Sequence, residues 1–372
     1  MTATHDVLIL GGGGAGCSAA LHLALRGARV ALFERGLVGS QASGVNYGGV
    51  RQNGRHPAEL PIARRAREIW ARLPELIGTD AEFEVTGHLK LARSAAEEAE
   101  LADYMAVARE NDLPLELIGS NSIHERWPWL GPRVVAGAFA PEDGAANPRL
   151  LAPAFAHAAR AAGAEINEHA PVKDIAHDGQ QFVLTIGDRT WRAPIALNCM
   201  GYWGGEIAAR FGEAVAVAPL APNMLVSEPI PYFIEPNMGV VGGDVYLRQI
   251  RRGNVIFGGG RGTSDPTIPW GRPLPEPTLA AMARAVELVP RLAGAQLIRS
   301  WTGIDGDMPD GLPVIGPSRT TPGLIHAFGF SGHGFMLGPG IGAILAELVL
   351  DGRTDVPLDP FRIDRFALGS AQ

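Results

Sequence analysis

An α/β fold in two lobes is predicted by three features of this sequence. The stretch Asp6 to Arg35, DVLILGGGGAGCSAALHLALRGARVALFER, reads as strand, glycine turn, helix, strand and acid. At 372 residues the chain exceeds what one hydrophobic core usually organises. From Pro219 to about Pro290 it becomes rich in prolines and β-branched residues, so a second lobe with a largely antiparallel sheet is expected there.

Val7 to Leu10 is apolar without alternation, as a strand buried on both faces requires. Gly11, Gly13 and Gly16 follow at G-x-G-x-x-G spacing. Gly11 permits the tight turn, Gly13 lets backbone amides approach a pyrophosphate, and Gly16 allows the next helix to pack closely on its strand. That helix reads from Ala15 to Arg26, and the amides of Gly14 and Ala15 open it where its partial positive charge faces an anion. Val30 to Phe33 is the second strand. Glu34, followed by Arg35, closes this Rossmann-type unit with a carboxylate that can accept hydrogen bonds from ribose hydroxyls. A ribose carrying phosphate is disfavoured, so FAD or NAD fits and NADP does not.

Composition narrows the class. With 46% hydrophobic and 19% charged residues the chain reads as a compact globule. A formal charge of -7 and the absence of any basic run argue against nucleic acid. Arg64, Arg65, Arg67 and Arg72 alternate with Ile62, Ile69 and Leu73 at helical spacing and read as a solvated helix face. Cys17 and Cys199 are too few and too isolated for a disulfide framework, which suits a reducing, cytoplasmic setting. The apolar segment Phe335 to Leu350 is broken by Pro339, glycines and Glu347, so no transmembrane segment is expected.

Further along, GLVGSQASGVNYGGVRQNGR is a glycine-rich loop. Phe83, Val85, Leu89 and Leu91 alternate around Gly87 and suggest strands. Ser94 with Glu97 forms a capping box before a helix to about Asn111, and Asn147–Pro148 opens another that stops at Gly163. PVKDI and FVLTI read as strands, and ALNCMGYWGGEIAARFG as strand, glycine turn and helix. VYLRQ and NVIFGGG, joined through Arg252, Gly253 and Asn254, read as a hairpin. Asp305, Asp307 and Asp310 invite a calcium-loop reading. That loop needs glycine at its sixth place and glutamate at its twelfth, where this chain has Asp310 and Gly316, so no metal is expected.

ASGVNYGGVR after the G-x-G-x-x-G unit resembles the D-amino-acid oxidase-type flavoproteins, which include glycine oxidase, sarcosine oxidase and their dehydrogenase relatives. SWTGIDGDMPDGLPVIGPS and GLIHAFGFSGHGFMLGPGIGAILAEL resemble the closing element of the same family. The resemblance spans nearly the whole chain and favours FAD over NAD. It implies FAD contacts from the loop residues Ser40, Ala42, Ser43, Gly44, Gly48 and Gly49. It also implies them from Val172, Gly201 and Trp203, and from Asp305, Gly332, His333, Gly334, Phe335 and Met336 near the C-terminus. It implies a non-covalent FAD, because Gly303 stands where some sarcosine oxidases carry the attaching cysteine.

Oxidation of an amine by a flavin asks the protein chiefly for orientation and a dry cavity. A guanidinium fork is the best partner for an amino acid's carboxylate. Arg51 stands where the sarcosine oxidases resembled here carry such an arginine. His333 lies between two glycines in the segment that, in the family, faces the flavin ring. Tyr246, Arg248 and Arg261 on the hairpin are further candidates for contacting substrate. The chain has Met336 where sarcosine oxidases have a lysine, and Asp305 where glycine oxidase has an arginine. A substrate with an added polar or cationic part is therefore expected. Ile256 replaces the lysine that activates dioxygen in sarcosine oxidases, and no lysine follows Lys173, so a dehydrogenase is favoured.

These expectations amount to an α/β protein with a discontinuous Rossmann-type FAD-binding domain (1–80, 146–218 and 300–372) and an α+β substrate lobe (81–145 and 219–299) on a mixed, largely antiparallel sheet. Its expected reaction oxidises the C–N bond of a small amino or imino acid to the imine. Its partners are that substrate and, if dioxygen is a poor acceptor, electron-accepting subunits. An oxygen-using amino-acid oxidase and a non-catalytic flavin-binding subunit are the alternatives.

Overall fold

A computed structural model describes residues 2–265, 267–268 and 270–366. Two large sheets organise it. The first has six strands in the order Val314–Pro317, Leu324–Phe328, Ile195–Asn198, Val7–Leu10, Val30–Phe33, Glu165–Asn167. All neighbours are parallel except the first pair. Val7–Leu10 lies centrally with every residue fully buried, and each such side chain contributes about 1.5 to 3 kcal/mol relative to an exposed one. The unbroken apolar run is therefore explained: helices cover one face and a small four-stranded sheet the other.

The helix Gly14–Leu25 packs between the helices Pro148–Ala161 and Gly334–Leu350. Close approach is possible because Gly338 and Gly342 face it. A β-carbon on Gly342 would sit 2.3 Å from Ser18 Oγ, which instead donates to the Pro339 carbonyl at 2.9 Å. Gly334–Leu350 thus stays helical despite Pro339, held by its neighbour as well as by its own hydrogen bonds.

The second sheet has eight strands in the order Leu297–Trp301, Pro222–Pro229, Asn254–Arg261, Tyr246–Gln249, Asn237–Val240, His88–Ala92, Ala136–Ala140, Glu116–Gly119. It is antiparallel except between Asn237–Val240 and His88–Ala92, a mixed and largely antiparallel sheet as expected. The hairpin Tyr246–Gln249/Asn254–Arg261 forms as read.

Several local readings change. Only His88–Ala92 is a strand; 83–87 runs alongside with a single bridge, Glu84 to Ala145. The capping box forms by half: Ser94 accepts from the Glu97 amide, but the Glu97 carboxylate takes the Arg93 amide and guanidinium. Ile175–His177 and Phe182–Ile186 belong to the four-stranded sheet with Thr2–Thr4 and Arg189–Ala193. The proline-rich region hides a helix, Pro275–Leu288, because its prolines fall in the first turn, where a missing amide costs nothing. No helix among the described residues is long and apolar enough to cross a membrane.

Candidate active site

One cavity of about 760 Å³ runs from the glycine turn after the first strand to the face of the eight-stranded sheet. Its first end is shaped by backbone. Gly11 has φ +102°, and a β-carbon there would lie 2.4 Å from the Cys199 carbonyl oxygen. Gly16 lies against Gly11, where a β-carbon would approach the Gly11 oxygen to 2.1 Å. The turn and the helix start therefore tolerate no side chain at these points, while Gly13, Gly14 and Ala15 line the cavity. Ser43 Oγ accepts from the Gly14 amide at 2.9 Å and ties the second glycine-rich loop to the first.

Glu34 lines the same end. Its two oxygens accept the amides of Gly12 and Gly36, each at 2.8 Å, which fixes the carboxylate and leaves further lone pairs for a hydroxyl. Arg35 stacks on the Trp203 ring with its guanidinium carbon 3.5 Å from the centroid, and Val172 and Gly201 complete that wall. The flat Arg35–Trp203 stack, a carboxylate and a helix N-terminus along one wall of the cavity fit the adenine, ribose and pyrophosphate of FAD. Ser40, Ala42, Ser43 and Gly49 line the cavity beyond.

Three expected contact residues, Gly44, Gly48 and Met336, do not line it. Gly44 and Gly48 are clearance positions, where a β-carbon would lie 2.1 Å from the carbonyls of Gly39 and Ala146 respectively. Gly16 has the packing role above. Met336 is buried in the core, and its carbonyl accepts from Trp70 Nε1 at 2.9 Å. Arg248 is corrected likewise. Its guanidinium donates to the carbonyls of Tyr47 and Ala146 and lies outside the cavity lining, so it ties chain segments together.

Gly332, His333, Gly334 and Phe335 do line the cavity, as does Asp305. Asp305 is not a free acid facing substrate. Its oxygens accept the Gly306 and Gly332 amides, each at 2.8 Å, and burial pushes its pKa up to about 6 against those bonds. The cationic substrate part inferred from this residue loses its basis. Tyr246 lines the cavity, its hydroxyl directed to Met224 Sδ at 3.3 Å and its ring tilted on Tyr47.

His333 Nδ1 is 2.9 Å from Glu59 Oε1, and Glu59 is fully buried. Burial, then the Arg55 charge, pulls the His333 pKa down to about 4. Burial raises Glu59, but the His333 hydrogen bond and the Arg55 charge outweigh it and hold it below the ordinary value. Both directions agree on one arrangement: a neutral imidazole donating Nδ1–H to a carboxylate, with Nε2 left as an acceptor. A histidine with a lowered folded pKa adds stability above its unfolded value that is lost as pH falls from about 6.5 to about 4. His333→Gln is expected to show a shallower fall in melting temperature across that window than the parent. Superimposable pH profiles of melting would contradict the assignment.

The far end holds residues that sequence reading missed. Arg51 lines the cavity as expected, and with it Arg55, His88 and Lys90. Arg55 is 3% exposed, its Nε donates to the Arg51 carbonyl, and burial, then Arg51, pulls its pKa to about 10. His88 is neutral, held well below its usual range by burial and by these cations. Alternation carried the signal: with Leu89 and Leu91 on the core face, His88 and Lys90 share the opposite one. Ile256 lies outside the lining, whereas Lys90, from the first third of the chain, supplies a lysine to the cavity.

Fold and site together define a flavin-dependent oxidoreductase. The chain belongs to the FAD dependent oxidoreductase family, matched over residues 6–348. It is 30% identical to a glycine oxidase of Geobacillus kaustophilus over 98% of both chains. It is 27% identical to the sarcosine oxidase subunit beta of an Arthrobacter species over 98% of this chain and 92% of that one. The crystal structure of L-proline dehydrogenase from P. horikoshii superposes with a TM-score of 0.91 at 27% identity, covering all of both chains.

Proposed function

We propose that this protein oxidises the C–N bond of a small amino or imino acid to the imine, with Arg51 holding the substrate carboxylate. The observation that carries this is a single cavity joining the glycine cradle for FAD to a guanidinium and a neutral histidine. When bound, FAD takes up the two electrons and the hydrogen removed from the carbon next to nitrogen. Arg51 orients the substrate, and the neutral His333 accepts a hydrogen bond at Nε2 from the amine N–H, which enters in its neutral form. The buried walls exclude water until the imine leaves and hydrolyses to a carbonyl compound and an amine. The test is anaerobic mixing with D-amino acids, N-methyl amino acids, prolines and opines. At least one class should bleach the flavin, and a flavin that no member reduces would refute the reading.

FAD is held without a covalent bond in this account. A β-carbon on Gly303 would lie 2.2 Å from Val45 Cγ2, and burial lifts the Cys199 thiol up to about 12, far from a reactive thiolate. Acid precipitation should leave yellow flavin in the supernatant; a yellow pellet would contradict this.

The electron acceptor has two readings. The missing lysine at Ile256 supports a dehydrogenase that passes electrons to a quinone, a dye or a partner subunit. Lys90 lines the same cavity and would support an oxidase, because a positive charge near the site of dioxygen reduction would stabilise the superoxide anion. The dehydrogenase reading expects slow reoxidation when substrate-reduced protein meets aerated buffer. Fast reoxidation with stoichiometric hydrogen peroxide would make this an oxidase.

A further inference from the structure

Three cations line one end of the cavity without an ion pair to any described residue: Arg51, Arg55 and Lys90. Elsewhere in the cavity Arg35 stacks on Trp203, and two arginines are paired. Arg284 pairs with Asp244, and Arg261 with Asp307. Two buried carboxylates, Asp143 and Glu59, act on Arg55 without forming an ion pair with it. Asp143 is buried, with one oxygen accepting the Gln52 amide and the other the Asn53 amide. Glu59 is held by His333.

The three are also forced together. Arg55 Nε donates to the Arg51 carbonyl, and Lys90 presses on the loop between them, so that a β-carbon on Gly54 would lie 2.9 Å from its Nζ. Lys90 is held below the usual lysine range by burial and then by Arg51. Arg55 Nη1 is buried without a hydrogen bond, as are Asn53 Oδ1, His88 Nδ1 and Glu59 Oε2. Desolvated like charges destabilise one another, and a site that keeps them is stabilised by an anion that enters it. Glu59 and Asp143 offset part of the Arg55 charge, so a monocarboxylate bound to Arg51 would leave Lys90 as the cation with no carboxylate in ion-pair reach among the described residues.

We infer that Lys90 and Arg55 form a second anion subsite, and that the substrate is an amino or imino acid carrying a second carboxylate on its side chain or nitrogen substituent. This inference rests on the amine-oxidation reading for the word amino, but the subsite is testable without turnover. FAD-loaded protein is titrated with malonate, succinate and glutarate against acetate and butyrate, read by flavin absorbance and by calorimetry. Dianions should bind about tenfold or more tightly than monoanions, a preference that Lys90→Met abolishes and Lys90→Arg retains at equal FAD content. Equal affinities, no dianion binding by either readout, or a preference surviving Lys90→Met would overturn it. If monocarboxylate amino acids bleach the flavin while dianions show no preference, only this inference falls. If dianions bind as expected but no amino acid bleaches the flavin, only the amine-oxidation reading falls.

Discussion

Replacing Arg51 with alanine is expected to weaken substrate binding by about 2 to 5 kcal/mol, the cost of removing the proposed guanidinium partner of the carboxylate from a largely desolvated site. FAD content stays unchanged, because the Arg51 guanidinium bonds the Asn53 carbonyl at the far end of the cavity from the glycine cradle. Arg51→Lys retains the charge but not the planar fork, so it recovers only part of the loss. Half-saturation in anaerobic flavin reduction and flavin content are the measurements. Unaltered kinetics in Arg51→Ala would remove the residue from the site, and loss of FAD would make it a cofactor residue.

Gly11→Ala is expected to bind FAD roughly five- to a hundred-and-fifty-fold more weakly, from about 1 to 3 kcal/mol of backbone strain. Its φ of +102° disfavours any β-carbon, and the atom it would strike is the Cys199 carbonyl oxygen, which cannot rotate away as a side chain can. Relief requires moving the central strand relative to its neighbour or opening the turn, and either spoils the cradle. Gly12→Ala meets the Glu34 and Val38 side chains instead and should cost less. The comparison is read as FAD retained on purification and by calorimetric titration of the apoprotein. Equal FAD affinity in Gly11→Ala and the parent would contradict the assigned role of the turn.

How legible the molecule was depended on whether a feature is local in the chain. The glycine cradle is encoded within Asp6–Arg35, where the glycine spacing, the two flanking apolar strands and Glu34 together expose it. The loops after Glu34 and around His333 were found through motifs that resemble a family, though spacing could not separate lining residues from clearance residues such as Gly44 and Gly48. Arg248 was misread because a hairpin arginine was assumed to face the ligand, whereas two carbonyls capture it. The His333–Glu59 pair joins residues 274 positions apart, and no local pattern predicts it. Lys90 becomes a cavity residue only when His88–Ala92 pairs with Asn237–Val240 on one side and Ala136–Ala140 on the other. Its alternation with Leu89 and Leu91 was visible, but what its face would meet was not.

The most direct measurement is an anaerobic single turnover of the FAD-loaded protein with the best reducing amino or imino acid, following flavin bleaching and carbonyl product together. The expected result is one carbonyl product, with its amine or ammonia, for each flavin reduced, and slower bleaching when the carbon next to nitrogen carries deuterium. Bleaching without carbonyl product, or with a product oxidised elsewhere than at the C–N bond, would contradict the account.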